Sequence, residues 1–141
     1  MRVATGAMAV AALAVTAAAA QQGPATRTTR DGVFTLDQAR RGRALYEEHC
    51  SMCHGPSLGG VEMAPPLTGA EFYSNWSDLA VSDLLQRINQ TMPQAMPGSL
   101  SRRQDADIVA FILSFNKAPA GQVELPTDAD ALKTIRIVPT D

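Results

Sequence analysis

The 141-residue sequence predicts an all-α domain of three to four helices joined by long loops. Two segments open on a hydroxyl residue, carry glutamine three positions later, and continue with apolar residues at helical spacing. A stretch dense in glycine and proline lies between them, and no run alternates apolar and polar residues strongly enough to propose a sheet. The aromatic set is thin for the length, with four Phe, two Tyr and one Trp. A core that sparse needs a staple or a large apolar group at its centre.

Residues 1–20 begin with one Arg and continue with small and apolar residues to Ala18-x-Ala20, the pattern of a cleaved secretory signal peptide. A retained anchor fits less well, because the segment is barely long enough to span a bilayer and alanine is weakly apolar. Residues 21–33 hold Gln, Gly, Pro, Thr and Arg with little periodicity and read as a flexible leader. The domain proper is expected over 34–120, with 121–141 as a C-terminal tail packed on it.

Thr35 and Gln38 form a capping box that opens a first helix running to about His49. Its inward stripe is Ala39, Gly42, Tyr46 and Cys50. Glycine in a helix costs about 1 kcal/mol relative to alanine, so Gly42 marks the close approach of another helix. Residues 55–70, with Gly55, Pro56, Gly59, Gly60, Pro65, Pro66 and Gly69, are expected to form a loop without regular structure. A second helix is expected over 77–90, with Leu79, Leu84, Leu85 and Ile88 apolar and Ser77 or Ser82 as cap. Pro93 and Pro97 should end it in an extended segment holding Met92 and Met96. Ser101 and Gln104 start a third helix with Ile108, Phe111, Ile112 and Phe115 on one stripe, stopping near Asn116. The tail from Val123 carries Leu125, Leu132, Ile135 and Ile137, which should pack along the surface in a mostly irregular path.

Residues 50–54 read Cys-Ser-Met-Cys-His, the spacing of a covalent c-type haem attachment site. In that chemistry each thiol adds to a haem vinyl group and the adjacent imidazole ligates iron, so Cys50 and Cys53 become thioethers and His54 the proximal ligand. A haem would also supply the missing plate for the thin core. Zinc is a poor rival, since Cys50, Cys53, His54 and His49 are too cramped for a tetrahedral shell. His49 adjoins the motif and cannot reach the opposite face; it reads as an exposed helix-end residue. Outside residues 1–20 the methionines are Met52, Met63, Met92 and Met96. Met52 is inside the motif and Met63 lies in the loop expected to wrap the proximal side. Met92 and Met96 both precede proline after a helix, and Met92 is favoured as sixth ligand, with Met96 its competitor. His/Met ligation fills both axial positions and raises the potential, which points to an electron carrier rather than an enzyme.

The chain carries 12 Lys and Arg against 14 Asp and Glu, a net charge of −2. Loss of Arg2 with the signal would leave about −3, a weak acidic balance that argues against nucleic acid as a partner. No membrane span is expected in the mature protein.

Gly42-x-x-x-Tyr46-x-x-x-Cys50-x-x-Cys53-His54-Gly55, then Pro65-x-Leu67-x-Gly69, then Thr91-Met92-Pro93, then Ile108–Leu113 follow one another in the order of a class I monohaem c-type cytochrome. The chain resembles that family over roughly residues 34–120. The resemblance implies a small cytochrome c fold around one covalently bound haem c, with first and last helices crossing at Gly42 and Tyr46 against Phe111. It also implies that the Pro65 carbonyl accepts the His54 Nδ1–H, with Pro66 as fallback. The stretch from Trp76 through Met92-Pro93 to Ser101 is similar to periplasmic cytochromes c associated with quinoprotein dehydrogenases. That similarity supports Met92 as ligand and makes Trp76 a candidate propionate partner. The expected function is a periplasmic single-electron carrier between redox proteins, a dehydrogenase as donor and an oxidase or another cytochrome as acceptor. The alternatives are a subunit of a larger dehydrogenase or sulfur-oxidising complex, and a haem peroxidase.

Overall fold

The computed structural model describes residues 26–62 and 64–140. The expected signal peptide and the start of the leader lie outside the described residues, as does Met63. The elements run β1 (Arg27–Thr28), α1 (Leu36–His49), α2 (Ser51–His54), α3 (Gly69–Trp76), α4 (Val81–Thr91), α5 (Arg102–Phe115), α6 (Ala129–Lys133) and β2 (Ile135–Arg136). The fold is all-α, with six helices among the described residues where three to four were expected. None of them is long and apolar enough to cross a membrane.

α1 starts at its expected cap, Thr35 Oγ1 accepting the Gln38 N–H at 3.1 Å. The other half of the capping box does not form. Gln38 is 1% exposed and turns to the tail, its Nε2 donating to the Leu125 carbonyl at 3.0 Å and its Oε1 accepting the Leu125 N–H at 2.7 Å. An amide that answers both backbone groups of a distant residue is worth more there than at a solvated helix end. Gln38→Ala strands both Leu125 groups in the core. Each such orphan costs about 1–3 kcal/mol, so urea denaturation should show a loss of about 2–4 kcal/mol.

α5 is the central helix, buried at every position from Asp105 to Ala110 and again at Ile112 and Leu113. Its capping box is complete: Ser101 Oγ accepts the Gln104 N–H at 3.3 Å and Gln104 Oε1 accepts the Ser101 N–H at 2.9 Å. Of the expected stripe, Ile108 and Ile112 are buried, whereas Phe115 is 36% exposed. α1 crosses α5 at Gly42, where an added Cβ would fall inside the Asp107 carbonyl. One turn on, the Tyr46 and Phe111 rings meet at 5.2 Å between centroids, tilted by 51°.

Four parts of the chain depart from expectation. The loop over 55–70 ends early, because α3 begins at Gly69 and buries Phe72. The second helix begins at Val81, not at residue 77: Asp78 takes a left-handed φ of 64°. Neither serine caps α4; the Asp83 carboxylate accepts the Ala80 N–H at 3.1 Å instead. Leu79, outside the helix, is 41% exposed. Beyond α4, Met92 is extended, but residues 93–99 fold into turns, with the Met96 N–H on the Pro93 carbonyl and the Ser99 N–H on that of Met96.

The leader is the fourth correction. Residues 26–33 are folded rather than flexible: β1 pairs in parallel with β2, and Thr29, Val33 and Phe34 are at most 2% exposed. The Thr29 hydroxyl donates to the Val138 carbonyl and accepts the Val138 N–H, and the Arg30 guanidinium grips the Pro139 carbonyl. The tail does pack back, burying Leu125, Leu132, Ile135 and Ile137, with one turn of helix in α6.

Candidate functional site

α1 delivers Cys50 as its C-cap, and α2 carries the rest of the Cys-x-x-Cys-His run. The amides of Cys53 and His54 both donate to the Cys50 carbonyl, at 3.1 and 2.9 Å. This single tight turn puts two thiols and an imidazole on one short element. Behind it, the Tyr46 hydroxyl donates to the Gly55 carbonyl at 2.6 Å and the Gly60 amide donates to the His54 carbonyl at 2.8 Å. Tyr46 is 1% exposed; burial, then the nearby Cys50, pushes its phenol up to about 12, so it remains a donor at any ordinary pH.

His54 is buried, 7% exposed, and its Nδ1 lies 2.9 Å from the Pro65 carbonyl. A carbonyl only accepts, so the hydrogen sits on Nδ1 and the Nε2 lone pair is left for a metal. The loop that carries Pro65 is itself anchored. Asn116 Nδ2 donates to the Leu67 carbonyl at 2.8 Å and Asn116 Oδ1 accepts the Gly69 N–H at 3.1 Å. Tyr73 adds a hydroxyl bond to the Asn116 carbonyl at 3.1 Å. Asn116 was foreseen only as the place where α5 stops. Nothing local in the sequence names its partners, which lie more than 40 residues upstream.

Cys50 is half-buried and Cys53 exposed, and both are free thiols. Burial first, then the charge of Asp105 and the neighbour Cys53, pushes the Cys50 thiol up to about 11. His49 is partly buried, not exposed as expected, with Nε2 3.7 Å from a Glu48 carboxylate oxygen.

The methionines separate by environment. Met52 is 92% and Met96 63% exposed, whereas Met92, capping α4 through its N–H to the Ile88 carbonyl, is half-buried against the core. Trp76 ends α3 and is also half-buried against the core. The structure therefore joins Cys50, Cys53 and His54 in one turn and His54 to Pro65, and sets Met92 and Trp76 on separate elements bordering the same core.

Residues 37–112 match the family described as cytochrome c oxidase, cbb3-type, subunit III. The chain belongs to this cytochrome c family. Among solved structures it is similar to a chain of the sulfane dehydrogenase SoxCD from Paracoccus pantotrophus, at 22% identity and a TM-score of 0.51. That match covers 64% of this chain and 54% of the other, so the chain spans about half of that relative's length and the likeness is one of fold. No curated protein matches.

The cytochrome domain is thus a haem c electron-transfer module, and its own residues fit the group. Among the described residues no three His, Cys, Asp or Glu side chains gather around a metal position. A porphyrin brings four nitrogen donors and asks the protein only for axial ones. A buried imidazole with one nitrogen committed to a carbonyl has the other available for that role, and the two cysteines beside it in sequence fit the group's attachment.

Proposed function

We propose that the cytochrome domain is a periplasmic single-electron carrier holding one haem c through thioethers at Cys50 and Cys53, with His54 and Met92 as axial ligands. The observation that carries this reading is the His54 Nδ1 contact to the Pro65 carbonyl, which leaves the Nε2 lone pair for a metal. When bound, the haem supplies a one-electron iron couple. The protein's work is to keep the ligands in place while the charge changes: Pro65 orients the imidazole, Asn116 steadies the Pro65 loop, and Tyr46 ties down the segment after His54. Unchanged ligation keeps reorganisation small. Trp76 is the candidate partner for a haem propionate through its indole N–H.

The donor and acceptor in this reading are periplasmic redox proteins, a dehydrogenase on one side and an oxidase or other cytochrome on the other. Such encounters are brief and bury less than about 1,200 Å². The likeness to a sulfane dehydrogenase chain favours a second reading, in which the domain is a fixed subunit of a dehydrogenase or sulfur-oxidising complex. Co-purification with a larger redox protein selects that reading. Export is read from residues 1–20 alone, and the N-terminal mass of the mature protein tests it.

Covalent attachment is tested by haem staining after denaturing electrophoresis and by the pyridine haemochrome spectrum. The wild type should keep its pigment through acid–organic extraction. Cys50→Ser or Cys53→Ser should retain one thioether and shift the haemochrome band to longer wavelength, and the double variant should lose the pigment. Retention of haem in the double variant would overturn the linkage.

A further inference from the structure

Two buried acids lie two positions apart on α5 and meet opposite fates. Asp107, 4% exposed, gives both carboxylate oxygens to Arg41, each at 2.9 Å. Asp105 is 0% exposed and receives one hydrogen bond, from Asn89 Nδ2 to Oδ2 at 2.7 Å. Its Oδ1 is buried without a partner. An ionised carboxylate in that position is costly, and a neutral carboxylic acid far less so. Its hydrogen-bond partner Asn89 stands on α4 three residues before Met92, and α1, which delivers Cys50 at its C-terminus, crosses α5 at Asp107, two residues on.

We propose that Asp105 is a redox-linked proton site, its carboxyl taking a proton from water as an electron enters the domain and returning it as the electron leaves. The inference rests on the electron-carrier reading above. The balance is simple: the redox partner supplies the electron, and one O–H bond of a solvent hydronium breaks as one O–H bond forms at Oδ1, leaving water. A negative charge arriving nearby favours the neutral acid. By reciprocity, an ionised Asp105 favours the oxidised protein to the same extent.

The groups that face Asp105 leave it uncompensated. From α1 comes the Cys50 thiol, and from α4 the neutral Asn89 amide. Arg102, on α5 itself, is the cation that acts on it, and that pull is weaker than the burial which pushes its pKa up. Arg41 is committed to Asp107 and Glu124. Because the folded state raises this pKa, the associated stability is present below the ordinary carboxylate range and is lost as pH rises through the folded value.

The experiment is spectroelectrochemical titration of the haem-loaded wild type and Asp105→Asn across about pH 5 to 9, above the ordinary Asp value of ~3.9. In the wild type the midpoint should fall with rising pH across one window. A one-proton, one-electron linkage gives a slope of up to about 59 mV per tenfold change in proton activity. In Asp105→Asn that window should be flat, while any slope from other groups persists. Identical profiles in the two proteins overturn the proposal. Should Asp105→Asn fail to mature, redox difference infrared spectra of the wild type decide: a protonated carboxyl band that appears on reduction and shifts in deuterium oxide supports the site, and its absence overturns it. A purified protein without covalent haem would instead sink the electron-carrier reading, so the two failures are distinct.

Discussion

Gly42→Ala should leave little folded protein. The methyl group would be driven into the backbone carbonyl of Asp107 and close to the amide of Ile108. Neither obstacle can swing aside, since both belong to the buried middle of α5. Relief requires α1 and α5 to move apart, and this parts the Tyr46 and Phe111 rings and the Arg41–Asp107 pair. Overpacking a core costs about 1–3 kcal/mol where side chains can yield. Backbone against backbone belongs above that, and a domain has only about 5–15 kcal/mol to lose. Gly59→Ala is the control, because a Cβ there meets only the Ser57 hydroxyl at 3.5 Å. Urea melts should place Gly59→Ala within error of wild type and Gly42→Ala far below it. Equal midpoints would show that the helices do not cross where the structure has them.

Met92→Ala should produce the largest functional effect. Thioether ligation raises the potential by favouring the reduced iron, and axial ligands together tune haem potentials over about 0.8 V. With Met92 the proposed sixth ligand, its removal should lower the midpoint by a few tenths of a volt within that span, and open the iron to cyanide. Met96→Ala should leave the midpoint and the cyanide response unchanged, since Met96 is 63% exposed in a turn. Redox titration of both variants separates the candidates. A large fall in Met96→Ala with an unmoved Met92→Ala would transfer the ligand to Met96.

The helices that carry the crossing were legible because their signals are local. Thr35, Ser101 and the apolar spacing of α1 and α5 are written within one or two turns, and the costly Gly42 points to a close partner. The cysteine–histidine turn is legible for the same reason, its sequence being five consecutive residues. What stayed hidden depends on distant partners. Gln38 looks like half a capping box until Leu125 arrives from 87 residues away. Residues 26–33 have no periodicity because their partners are the tail residues 134–139. α3 escaped notice because it is eight residues long, follows two prolines and buries Phe72 alone. α4 begins late because Asp83, a carboxylate inside the helix, does the capping that Ser77 and Ser82 seemed placed to do. The differing burial of Met92 and Met96 is likewise not encoded by their neighbouring prolines.

The parallel pairing of Arg27–Thr28 with Ile135–Arg136 has a kinetic meaning. Its supporting bonds join residues 109 positions apart, and contacts of such high sequence separation are slow to find. They cannot form until residues 134–139 are available, whereas each helix can start on its own. The seam between the two strands should therefore close last, over a helical body already assembled around the cysteine–histidine turn.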